Sequence, residues 1–139
     1  MKIKEIMRGV TKISAEHTVS DSAKLMDEKN LGSLLVEESS KVIGIITERD
    51  ILRKVVAKGK DPKSTSIKET MTSPIITISQ EDAVENANEL MTKNRIRRLL
   101  VKDNDKVIGI ITLRDVSNNI KYALGRNLIG KKDFSRPGF

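Results

Sequence analysis

Apolar residues along this chain switch between two spacings, and the switches mark out its elements. Val10-Thr-Lys-Ile13 alternates over four residues and predicts a short strand. Val19, Ser22 or Ala23, and Met26 then recur at helical spacing behind Ser14 or Thr18, either of which can open a helix, and Asn30-Leu31-Gly32 closes it. Residues 33–36 and 42–46 are apolar, β-branched runs on either side of a polar stretch, the pattern of an antiparallel hairpin. Thr47 opens a second helix carrying Ile51, Leu52, Val55 and Val56, stopped by Gly59 and Pro62. Ahead of all this, Ile3, Ile6 and Met7 predict a short amphipathic turn.

The pattern then runs a second time. Lys-Val-Ile-Gly-Ile-Ile-Thr stands at Lys41–Thr47 and again, unchanged, at Lys106–Thr112, each followed by x-Arg-Asp. At the same offset of 65 residues Ile13 meets Ile78, Val19 meets Val84, Met26 meets Met91, and Leu34-Leu35-Val36 meets Leu99-Leu100-Val101. A shift of one residue aligns the lead-ins at Met7 and Met71. The second copy therefore predicts a lead-in over 67–71, a strand over 75–78, a helix over 81–93, a hairpin of 99–101 with 107–111, and a helix from Thr112 carrying Val116, Ile120 and Leu124. The expected fold class is α/β (α+β): two tandem β-α-β-β-α repeats packed with pseudo-two-fold symmetry. The boundaries read 1–58 for repeat 1, 59–66 for a polar linker, 67–124 for repeat 2, and 125–139 for a basic, partly disordered tail.

Composition narrows the choice of core and of chemistry. A repeat of this size buries little surface alone, so each copy is expected to pack on the other. With two Phe, one Tyr and no Trp among 139 residues, that core must be aliphatic. The lack of Cys excludes disulfides and thiolate metal sites. No apolar run approaches a membrane span or a signal segment, so a cytoplasmic protein is expected. Net charge is +7, of which +4 falls from Ser117 onward. Such a basic end serves solubility or touches nucleic acid.

Catalytic and metal chemistry find little support. The one histidine, His17, lies in a polar stretch with no nucleophile beside it, and a general base needs an oriented partner. Asp103-Asn104-Asp105 lacks the Gly and distant Glu of a calcium loop and suits a turn. No phosphate-loop or dinucleotide glycine pattern occurs. A non-enzyme without metal is expected. The repeated Gly-Ile-Ile-Thr-x-Arg-Asp is more informative. Thr47 with Asp50, and Thr112 with Asp115, are spaced as a helix N-cap and its first-turn acid. The same spacing suits a ligand, because N–H groups and a hydroxyl at a helix start bind phosphate or ribose oxygens and a carboxylate one turn in can accept a ribose diol. Gly44 and Gly109 would allow a backbone to come close.

This motif, closing both copies, with Leu-Leu-Val inside each hairpin, resembles the cystathionine-β-synthase (CBS) domain, and two in tandem resemble the CBS pair called a Bateman module. The resemblance covers about residues 6–123. It implies a regulatory module that binds adenosine-containing ligands (AMP, ADP or ATP, with S-adenosylmethionine or NAD as further options) in clefts between the copies and signals to a partner protein. It assigns ribose to Asp50 and Asp115, and ribose or phosphate to Thr47 and Thr112. Base-binding positions pass to Val10, Thr11, Leu31, Gly32, Ser33 and Ile45 in one site and to Ile75, Ile76, Ile96 and Ile110 in the other. Where copy one has Gly32-Ser33, copy two has Arg97-Arg98, the phosphate candidates. Apolar helical faces at 51–56 and 116–124 imply a homodimer. Two other readings compete: a nucleic-acid-binding protein using the basic tail, and an assembly module whose sites stay empty.

Overall fold

The computed structural model describes residues 1–73 and 75–127, with side chains as far as Ile120. It contains two compact units: Val10–Ile76, and Met1–Gly9 together with the chain from Thr77 onward. Each unit holds one mixed three-stranded sheet.

In the first unit β1 (Lys12–Ser14) lies parallel to β2 (Ser33–Glu38), with Ile13 opposite Val36, and β2 pairs antiparallel with β3 (Lys41–Thr47). Between β1 and β2 runs α1 (Val19–Lys29), a right-sized connection for two parallel neighbours. Thr18 is its N-cap: its hydroxyl accepts from Asp21 N–H and Asp21 returns the bond to Thr18 N–H. Asn30 ends the helix in the left-handed region at φ 55°. Val19 and Met26 face the sheet and pack with Leu34, Val36 and Ile46. After Thr47, α2 (Glu48–Ile51) widens into a π-type turn over Leu52–Val56, where Ala57 N–H reaches back to Leu52 C=O at 2.8 Å. Only Val55 of this stretch is fully buried; Leu52 and Val56 remain exposed. α3 (Ile67–Thr70) follows, capped by Ser66.

The second unit repeats the plan with β4 (Thr77–Ser79), α4 (Val84–Asn94), β5 (Arg98–Asp103), β6 (Lys106–Thr112) and α5 (Leu113–Asn127). Its ladder register matches the first, including a bulge after Val101 where the first sheet has one after Val36.

Several expectations shift by two or three residues. β1 and β4 start at Lys12 and Thr77, leaving Val10-Thr11 and Ile75-Ile76 ahead of the strands. α4 begins at Val84, since Glu81 and Asp82 are engaged by Lys2, Lys4 and Ser79 N–H. Gly125 does not stop the last helix, which continues to Asn127; the rest of the expected tail lies outside the described residues.

The repeat boundary in sequence is not the packing boundary. The lead-in of copy two, ending at Thr72, bridges to β3 of copy one, with Thr72 N–H to Ile45 C=O at 2.8 Å and the reverse bond at 3.1 Å. The lead-in of copy one does the same on β6 of copy two, through Arg8 and Ile110 at 2.9 and 3.0 Å. Ile67 and Ile3, at matching positions, are each fully buried anchors. Thr65 C=O accepts from Val19 N–H as Met1 C=O accepts from Val84 N–H. Part of the expected linker is thus seated on the start of α1.

Candidate functional site

Each copy of the motif sits where a strand runs directly into a helix. Thr47 is the last residue of β3 and the N-cap of α2. Its hydroxyl accepts from Asp50 N–H at 3.1 Å, and Asp50 Oδ2 accepts from Thr47 N–H at 3.0 Å. Thr112 and Asp115 repeat the box, with both bonds at 3.1 Å. The capping role therefore consumes the threonine hydroxyl and one carboxylate oxygen in each copy, which stabilises each helix start by about 1 kcal/mol. The other oxygen, Oδ1, is the one that could serve a ligand. Both aspartate side chains are buried, Asp50 to 10% exposure and Asp115 to 7%.

What satisfies Oδ1 differs between the copies. Asp50 Oδ1 accepts from Thr72 Oγ1 at 3.0 Å and pairs with Lys54 Nζ at 3.1 Å. Lys54 lies one turn on in the helix and also donates to Thr70 C=O. Asp115 Oδ1 is held instead by the guanidinium of Arg8, with Nε at 3.0 Å and Nη2 at 2.6 Å. Burial pushes the Asp115 carboxyl upward, but the hydrogen bonds from Arg8 and Thr112, with the charge of Arg8, outweigh it and hold the group below the ordinary carboxylate range. Arg8 and Thr72 are equivalent positions, each one residue after a lead-in methionine and each bridged to the strand before the motif.

These three partners, Arg8, Thr72 and Lys54, were not among the expected site residues. Lys54 carried a usable signal, being four residues after Asp50. Arg8 carried none, because 107 residues separate it from Asp115.

The glycines serve close approach, and the approaching backbone is the unit's own. A Cβ on Gly44 would lie 2.9 Å from Thr72 O, and one on Gly109 would lie 3.0 Å from Arg8 O.

In the first unit the sheet brings Ser33 opposite Thr47, and Gly32 C=O accepts from Glu48 N–H at 3.1 Å. The Glu48 carboxylate lies over Gly32. Ile45 carries the bridge to Thr72 and is half-buried, as are Val10 and Thr11. Leu31 packs against the hydrophobic core. In the second unit Arg98 pairs with Thr112 across the ladder, and Arg97 C=O accepts from Leu113 N–H at 2.8 Å. Both arginine side chains are exposed, without a carboxylate partner among the described residues. Ile110 is buried behind the Arg8 bridge and Ile96 is half-buried. Half-buried Ile75 and Ile76 fall in the Val10–Ile76 unit, apart from the β4 strand they precede.

Two further places bear on chemistry. His17 does have an oriented carboxylate neighbour, Asp21 at 3.1 Å, but that carboxylate is the capping acid of α1 and the pair is exposed. An open groove of about 480 Å³ runs along α4 and β4, lined by Ser79, Asn86, Lys93 and Lys102 among others. It shares no residue with the motif set.

A duplicated β-α-β-β-α unit, with a Thr–Asp capping pair and a buried aspartate at each closing strand-to-helix junction, is the architecture the two units share. The CBS domain model matches the chain twice, over residues 3–57 and 67–122, and the protein belongs to the CBS-domain family. The chain is 41% identical over 111 residues to an uncharacterised protein of Methanopyrus kandleri, covering 78% of this chain and 57% of the relative. It is 40% identical over 108 residues to a mitochondrial CBS domain-containing protein of Arabidopsis thaliana, covering 74% and 52%. It thus spans little more than half the length of these relatives. Among solved structures it is similar to a hexameric CBS-CP12 protein from bloom-forming cyanobacteria, with 35% identity, a TM-score of 0.81, and coverage of 96% of this chain and 78% of that one.

Proposed function

We propose that this protein is a non-catalytic sensor whose two motif sites, Thr47/Asp50 and Thr112/Asp115, bind adenosine-containing ligands, and that occupancy is signalled to a partner protein. One observation carries the reading. Each copy buries a carboxylate, fixes one of its oxygens by a cap, and leaves the other oxygen on side chains that can move away. A ribose diol offers two hydroxyl donors for an acceptor of that kind. AMP, ADP or ATP fits the basic pair Arg97-Arg98, and S-adenosylmethionine or NAD shares the adenosine end. Ligand binding would act by favouring one conformational or assembly state over another.

Self-association belongs to the same proposal. Val55 and Val116, both expected on the dimer faces, are fully buried inside their own units, so the available apolar face on the first-copy helix reduces to Leu52 and Val56, at 59% and 61% exposure. Among the described residues no helix is long and apolar enough to cross a membrane.

The test is calorimetric titration with AMP, ATP, S-adenosylmethionine and NADH, beside an Asp50→Ala/Asp115→Ala double variant. Binding to the native chain that disappears in a folded double variant is the expected result. Equal binding by both proteins would remove the motif from the site, and no binding by either would favour an assembly role. Affinity for nucleic acid that falls steeply with salt would favour the basic tail instead.

A further inference from the structure

We infer that Arg8 is a specificity residue of the Asp115 site: it occupies the ribose-accepting oxygen when the site is empty, and it yields that oxygen to a nucleoside that carries a phosphate. The inference rests on the adenosine reading above and adds which ligands the second site accepts.

The argument begins from the internal comparison. Thr72 and Arg8 occupy the same place in the two copies and address the same atom, Oδ1 of the motif aspartate. In the first unit that position is a neutral hydroxyl, and the nearby charge is Lys54 on the helix itself. In the second unit the residue matching Lys54 is Asn119, whose amide donates to Asp115 C=O rather than to the carboxylate. Arg8 is therefore the cation that satisfies the buried Asp115, and it comes from a different part of the chain.

A ribose diol arriving at Asp115 has to displace a charge-assisted contact with neutral hydroxyls, which on its own is unfavourable. The trade becomes favourable if the freed guanidinium finds another anion. Its own side chain is 68% exposed, so leaving Asp115 requires no rearrangement of core. A phosphate on the same ligand supplies that anion, and Arg97 and Arg98 flank the same strand-to-helix junction with no acid to neutralise them among the described residues. The first unit has the opposite surroundings: Gly32 and Ser33 replace the two arginines, and the Glu48 carboxylate lies over Gly32. The Asp115 site thus discriminates for phosphate through a residue that also keeps it closed to plain nucleosides.

The experiment compares adenosine and AMP on the full chain and on Arg8→Thr, which installs the first copy's residue. Calorimetry is run alongside the Arg8 Nε–H resonance of the native protein. The expected result is a preference for AMP that shrinks about 10- to 100-fold in Arg8→Thr, the equivalent of one charge-assisted hydrogen bond. In the native protein the Nε–H resonance should move with AMP and stay in place with adenosine. An unchanged AMP-to-adenosine ratio in the folded variant overturns the inference while leaving the sensor reading intact. So does a resonance that ignores AMP while AMP binds, and this holds even if the variant fails to fold. Failure of both compounds to bind either protein overturns the inference together with the adenosine reading on which it rests.

Discussion

Replacing Gly44 by alanine should damage the first unit more than its size suggests. The new Cβ would stand 2.6 Å from Met71 Sδ and 2.9 Å from Thr72 O. The sulfur is on a flexible side chain and can turn aside, but the carbonyl belongs to the backbone bridge between Thr72 and Ile45. Overpacking of this kind costs about 1–3 kcal/mol, and losing the two bridge hydrogen bonds adds about 1 kcal/mol each. Alanine returns up to about 1 kcal/mol by restricting the unfolded chain. The net expectation is a loss of about 2–5 kcal/mol, dominated by the overpacking and bridge costs. At Gly109 the new Cβ would meet the equivalent pair, Met7 Sδ at 2.9 Å and Arg8 O at 3.0 Å, so a loss of the same order is expected there. Urea unfolding of both variants measures the losses. Adding Met71→Ala to Gly44→Ala provides the control, since it removes the sulfur and leaves the carbonyl. A Gly44→Ala protein as stable as the native one would refute the reasoning, and so would full rescue by Met71→Ala.

Two further outcomes follow from the geometry. Arg95 ends α4 at φ 54°, a left-handed conformation that costs a side chain about 1 kcal/mol, so Arg95→Gly should raise the urea midpoint, and a lower midpoint would contradict this. Asp115 has a depressed folded-state pKa, so its pairing with Arg8 contributes stability above the unfolded carboxylate value of about 3.9 and loses it as pH falls through the lower folded value. Arg8→Thr should therefore reduce stability near neutral pH and flatten the acid limb of a stability-against-pH curve, and an unaltered acid limb would show that the pair adds nothing.

Much of this protein was legible from periodicity alone. Val19 and Met26, the hairpins around Glu37–Lys41 and Asp103–Lys106, and the caps at Thr47 and Thr112 are local features, and spacing along the chain determines them. The helix beginning at Thr47 was legible as a helix, but which apolar side chains it would bury was not. Its π-type turn rotates Leu52 and Val56 outward while Val55 enters the core, and only packing decides that rotation. The motif carboxylates were likewise recognisable from their three-residue spacing to a threonine.

Their partners were not. Hydrogen-bonding chemistry allows Oδ1 many donors, and a sequence does not say which backbone segment will be laid beside a strand 27 or 102 residues away, as Thr72 is from Ile45 and Arg8 from Ile110. The tertiary structure settled this by placing the lead-in of copy two on β3 and that of copy one on β6, so that Thr72 reaches Asp50 and Arg8 reaches Asp115. The sequence by itself determined a duplicated unit with two equivalent motifs. Long-range strand bridging, which short-range spacing does not encode, made the two motifs chemically different.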